Sequence, residues 1–169
     1  MGQASVRACC CLVALLCATT PTRAQNAAVP GVTRDVLGSG LPAAAPGQEL
    51  GLRRVTFAPG ASIPGEVHSG AQVLLVVSGT LGLQVMGGEV VVRRAGPHGA
   101  MGEPQTIKAG PDQLQLKPGD TALEGETLVL HPYNPGRDPV VILVASLLQT
   151  GKPQSVPVTQ TIVVPASPN

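Results

Sequence analysis

The stretch Pro59-Gly60-Ala61-Ser62-Ile63-Pro64-Gly65-Glu66-Val67-His68-Ser69-Gly70-Ala71-Gln72, continuing through Val73 to Ser78-Gly79, decides how this chain is read. It opens on a Pro-Gly turn, sets a carboxylate and an imidazole two residues apart, places an amide four residues further on, and closes an aliphatic run on a glycine. Residues i and i+2 of a strand share one face, so Glu66 and His68 are expected to point into the same interior space. Val73 to Val77 is continuously apolar, which predicts a strand buried on both faces.

Working outward, the same punctuation recurs. Runs rich in Val, Leu and Ile lie between Gly or Pro turns at residues 50–57, 72–77, 80–85, 89–94, 113–116, 127–131 and 139–147. Leu81, Leu83 and Val85 alternate with Gly82 and Gln84, and Leu114 and Leu116 with Gln113 and Gln115, as strands with one wet face do. No stretch sustains a helical period. The chain therefore reads as all-β, a sandwich or closed barrel. Between Ala95 and Asp112 lies a polar Gly- and Pro-bearing loop with His98 and Met101, and His98 is expected to be exposed.

A second segment runs from Pro118-Gly119-Asp120 to Asn134, followed by the aliphatic strand Val140 to Ala145. Together the two segments resemble the cupin family over roughly residues 50–147. On that resemblance Glu66 stands at the first position of a His-x-His pair, His68 at the second, Gln72 at a Glu position and Gly79 at the closing glycine. Leu130 stands where a last histidine belongs, with Asn134 four residues on, and His131 comes one place late. The resemblance implies a cupin-type double-stranded β-helix, or jelly-roll barrel. It also implies a divalent metal (Fe, Mn, Ni or Zn), here held by Glu66, His68 and His131, with Glu66, His68, Gln72 and His131 lining a ligand site. An imidazole and carboxylates suit such ions. A one-residue offset turns a side chain to the opposite face, so His131 reaches the site only if a bulge corrects the register.

Residues 1–24 read as a signal peptide: Arg7, an apolar run from Ala8 to Ala18, then Thr22 and Ala24 as small residues before the cleavage point. The run is about half the ~20 residues that span a bilayer, and no transmembrane anchor is expected. A buried N-terminal helix or a lipid anchor on Cys17 are the alternatives, the second opposed by Leu16 before the cysteine. All four cysteines lie in this segment, so disulfides, thiolate nucleophiles and Cys-bound zinc are not expected in the exported chain. Periplasm and medium stay equally open as destinations. Residues 25–48 read as an extended arm with a short strand at Val32 to Leu37, residues 49–148 as the barrel, and residues 149–169 as a tail with an edge strand at Val158 to Val164.

Without Arg7 and Arg23, 9 basic residues face 10 acidic ones, so no charge patch advertises a partner. Phe57 and Tyr133 are the only aromatic residues, which leaves no platform for stacking bases and argues against nucleic-acid binding. No Gly-x-Ser-x-Gly elbow or phosphate-cradling glycine loop is present. Arg53-Arg54 and Arg93-Arg94 each direct one guanidinium inward, where it could meet a ligand carboxylate or pack at a sheet edge. Three functions fit these residues. One is an exported binding module for a small apolar or acidic molecule; another is a metal-dependent oxygenase or isomerase; the third is a structural homodimer whose apolar strands pair.

Overall fold

The computed structural model describes residues 28–158, an all-β unit of twelve strands in two antiparallel sheets. One sheet runs β1 (Val32–Gly40), β2 (Gln48–Phe57), β11 (Val140–Gln149), β4 (Gly70–Ser78), β9 (Thr121–Glu124), β6 (Glu89–Arg93), β7 (Gln105–Lys108). The other runs β12 (Ser155–Pro157), β3 (Glu66–His68), β10 (Val129–Tyr133), β5 (Leu81–Gly87), β8 (Gln113–Leu116). From β2 to β5 and again from β8 to β11 the chain crosses between sheets at every step, which is the jelly-roll order of a cupin-type barrel. The export segment, its cysteines and residues 159–169 lie outside the described residues.

Aliphatic side chains fill the space between the sheets, as the shortage of aromatics requires. Phe57, Leu81, Leu83 and Leu116 are wholly buried, joined by Val76, Val90, Val92, Leu128 and Val140. Burying each such side chain contributes roughly 1.5–3 kcal/mol. Two polar residues of the second segment tie the turns to this core. Asp120 accepts hydrogen bonds from the backbone N–H of Ala95 and Lys117 and from Arg94, whose Nη1 lies 2.8 Å away. Burial works to raise the Asp120 pKa, but these donors and the Arg94 charge outweigh it and hold the carboxyl below the usual range. Asn134 donates to the carbonyls of Phe57 and Asp138 and accepts from Gly136 N–H, clamping the end of β2 to the turn after β10. Both residues are structural, and so is Arg94 of the second arginine pair.

Three expectations change. Val73 to Val77 is not buried on both faces: Gln72, Leu74 and Val76 face the core, while Val73, Leu75 and Val77 are 42%, 37% and 47% exposed. The run reads as continuous because the outer face is apolar too. The arm carries a longer strand than expected, since β1 pairs with β2 from Val32↔Phe57 to Gly40↔Leu50, with a register shift between Val36 and Gly38. Within the tail the structure adds an edge strand ahead of the expected one, β12 on β3, and Val158 N–H continues it by donating to Gly65 O; the rest of Val158 to Val164 lies outside the described residues. The 95–112 loop is pinned by an Ala95↔Met101 bridge and returns as β7 on β6, with His98 exposed at φ 56° in a 3-10 turn.

Candidate functional site

Short β3 carries Glu66 and His68 along the same face, as their spacing requires. Its register is set from both sides: Glu66 lies opposite Leu130 on β10 and His68 opposite Ser155 on β12. Ser155 Oγ donates to Glu66 Oε2 at 2.6 Å. Across the barrel, Gln72 on β4 lies directly opposite Glu124 on β9, both facing inward and almost completely buried. Gln72 Nε2 donates to Glu124 Oε2 at 2.5 Å, and His68 Nε2 stands 3.4 Å from the same oxygen. One carboxylate oxygen therefore gathers two nitrogens from two sheets.

The charges follow from this packing. Burial alone would lower the His68 pKa, but the hydrogen bond and charge of Glu124, with smaller contributions from the Glu66 charge and the Gln154 backbone, carry it above the usual 6.5. The imidazolium is the form favoured by folding, so the stabilisation is full below pH 6.5 and is lost as pH rises through the raised value. Glu124→Gln is expected to remove the carboxylate charge and lower the His68 pKa, read from the imidazole NMR shifts across a pH series. An unchanged titration would break the assignment of Glu124 as the partner.

Glu66, His68, Gln72 and Glu124 line a small open cavity walled by Phe57, Ile63, Leu130 and Ile142 among others and approached by Arg34 and Gln154. Of the residues expected from the sequence, Glu66, His68 and Gln72 are brought together. His131 is not. The register between β10 and β5 shifts from Val129↔Gly87 to Leu130↔Val85, so the extra residue, Met86, belongs to β5 and β10 itself stays regular: Leu130 and Pro132 line the cavity while His131 packs on Tyr133 with ring centroids 5.9 Å apart. Glu124 was not anticipated. Its signal was the pattern after the Gly119-Asp120 turn, where Leu123 faces solvent at 47% exposure and Glu124 faces the core.

These residues do not fit the metal centre that the motif implies. Among the described residues no three His, Asp or Glu side chains are grouped to hold an ion. An aliphatic Leu130 stands at the last histidine position. Glu66 is tied to Ser155, and the Glu124 oxygen facing His68 already accepts the Gln72 N–H. Of the first arginine pair, Arg54 is exposed and Arg53 is buried on β2 but does not line the cavity.

No family model matches the chain, and no curated protein does. Among solved structures it is similar to a cupin superfamily protein from Desulfitobacterium hafniense, with 14% identity over 73% of this chain and 84% of that one at a TM-score of 0.47. It is also similar to a cupin 2 domain-containing protein from Halorhodospira halophila, with 16% identity, 76% and 71% coverage and a TM-score of 0.49. KdgF from Halomonas sp. matches with 19% identity, 72% and 83% coverage and a TM-score of 0.45. Likenesses of this order concern architecture and not chemistry.

Proposed function

We propose that the chain is an exported binding protein that holds a small molecule inside a cupin-type barrel, between Glu66, His68, Gln72 and the aliphatic wall, without a metal ion. The convergence of Gln72 Nε2 and His68 Nε2 on one Glu124 oxygen carries this reading, because the nitrogens at two of the motif's ligand positions are turned to a carboxylate. Elsewhere the wall is mostly apolar and preformed, as small-molecule pockets are. Export rests on residues 1–24 as read from the sequence.

The test is elemental analysis of untagged protein and of His68→Ala after equilibration with Fe, Mn, Ni and Zn, with intact mass read on the same samples. Far less than one equivalent in both, and a mass lacking residues 1–24, is the expected result. Near-stoichiometric metal that disappears in His68→Ala would establish a metalloprotein, and a secreted chain retaining its first 24 residues would remove the export step.

The outer face of the larger sheet supports pairing with a second copy of the chain. Leu52 on β2, Ala145 on β11, Val73 on β4 and Leu123 on β9 form one cross-strand row, flanked by Leu50, Leu75 and Val77, and all of these side chains are exposed. Contiguous apolar surface of this kind is uncommon on a monomer. Leu75→Arg is expected to weaken the dimer by on the order of 100-fold, because it introduces an unpaired charge beside the row. Light scattering across a dilution series reads the change; wild-type protein that is monomeric at high concentration would end the proposal.

A further inference from the structure

The buried polar groups of the cavity are not all paired within the described residues. Gln72 directs its amide N–H and His68 directs Nε2 into the wall, both toward Glu124. Two buried side-chain atoms of the lining are left without a partner, the acceptor Gln72 Oε1 and the imidazole nitrogen His68 Nδ1. Gln72 Oε1 is buried, on a side chain 6% exposed, and accepts no hydrogen bond from any described group. Its orientation is fixed by the bond its Nε2 makes, so the oxygen cannot exchange places with the amide nitrogen without setting one acceptor against another. Glu66 takes one hydrogen bond, from Ser155, leaving further lone pairs available, and Glu124 is shared as described. Against these two carboxylates the lining contributes one guanidinium, Arg34, which is half-buried, and the imidazole already facing Glu124. Arg53 is already engaged and lies outside the lining.

A buried acceptor with no partner costs about 1–3 kcal/mol, which a ligand donor would recover. A ligand carboxylate cannot do this: it brings only acceptors and adds a third anion to Glu66 and Glu124. An alkylammonium brings three N–H donors and the opposite charge, and a short branched chain behind it would rest on Ile63, Leu130 and Ile142. We infer that the cavity takes a small primary amine in its ammonium form, held by Gln72 Oε1 and the Glu66 carboxylate, with its alkyl part against the aliphatic wall. This rests on the binding function proposed above and replaces the apolar or acidic ligand expected from the sequence with a cationic one.

The experiment is calorimetric titration of the whole protein, at neutral pH and low salt, with isobutylamine, isobutanol and isobutyrate, which share one carbon skeleton and differ in the polar group. The amine is expected to bind at least about tenfold more tightly than the alcohol, with the carboxylate weakest. Gln72→Leu and Glu66→Gln should each weaken the amine by roughly tenfold or more, as truncating a hydrogen bond to a charged group does. Glu66→Gln, at the half-buried position, keeps the test alive if Gln72→Leu fails to fold by circular dichroism. Alcohol or carboxylate binding as tightly as the amine, or amine binding unmoved by Glu66→Gln, overturns the amine assignment while leaving a small-molecule site in place. If none of the three binds the folded protein at tens of millimolar, the binding function falls with it.

Discussion

Gly70→Ala is expected to destabilise the barrel by about 3 kcal/mol or more, or to leave the protein insoluble. Gly70 begins β4 at φ 156°, opposite Leu148 of β11. A Cβ there would stand 2.2 Å from the Leu147 carbonyl oxygen and 2.9 Å from Leu148 Cα. Both are backbone atoms of β11, near its C-terminal end but still hydrogen-bonded to β2 and β4 on either side, so neither can move aside as a side-chain tip would. The damage would reach the cavity, because Gly70 lies midway between His68 and Gln72 and sets the angle at which β3 leaves one sheet and β4 enters the other. Urea unfolding reads the effect. A loss below 1 kcal/mol would mean that this corner relaxes and that the glycine is not required by its packing.

Phe57→Ala should cost about 3–5 kcal/mol, the range for deleting a buried phenylalanine ring. Phe57 is the one phenylalanine of the chain and has no exposed surface. Its ring is part of the cavity wall, and its carbonyl accepts the Asn134 amide. The substitution removes the ring but leaves that hydrogen bond, which is made by the backbone. The expected result is therefore a lower urea midpoint with an unchanged denaturant slope, and a cavity larger by the volume of the ring. Phe57→Leu should recover most of the loss, to within about 1.5 kcal/mol of wild type. Equal losses in the two variants would show that the site needs an aromatic ring and not its volume.

The sequence was most legible where one strand face is polar. Alternation at Leu81, Leu83 and Val85 located β5, and the turn residues bounded β6 and β8 within a residue. It was least legible where both faces are apolar. In β4 the outward Val73, Leu75 and Val77 erased the period-two signal, since an apolar outer face is coloured like a core. Short strands escaped for a different reason: β3, β7, β9 and β12 have three or four residues each, too few to show a period, and are strands because of what they pair with.

The candidate site was legible in half. Spacing along one strand put Glu66 and His68 on one face, and the motif's register placed Gln72 beside them. Glu124 comes from another strand 52 residues from Gln72, a separation at which no local pattern operates. Its position nevertheless breaks the usual pattern, with leucine outside and glutamate inside, and such breaks mark functional or strained positions. For His131 the one-residue offset from Leu130 pointed the side chain away from the cavity, and the register shift nearby inserts its extra residue, Met86, in β5, which leaves the alternation of β10 unchanged.

The pairing of β12 with β3 also orders events in time. Ser155, which fixes Glu66, follows it by 89 residues, and Gln154 completes the approach to the cavity. A chain emerging N-terminus first displays β3 as an open edge until almost all of the described sequence has been made. Closure of so long a loop is slow relative to local hairpins, so the wall around Glu66 is among the last parts to form. A nascent chain arrested before residue 154 would carry the imidazole, the amide and both carboxylates and still lack the part of the wall that Gln154 and Ser155 supply.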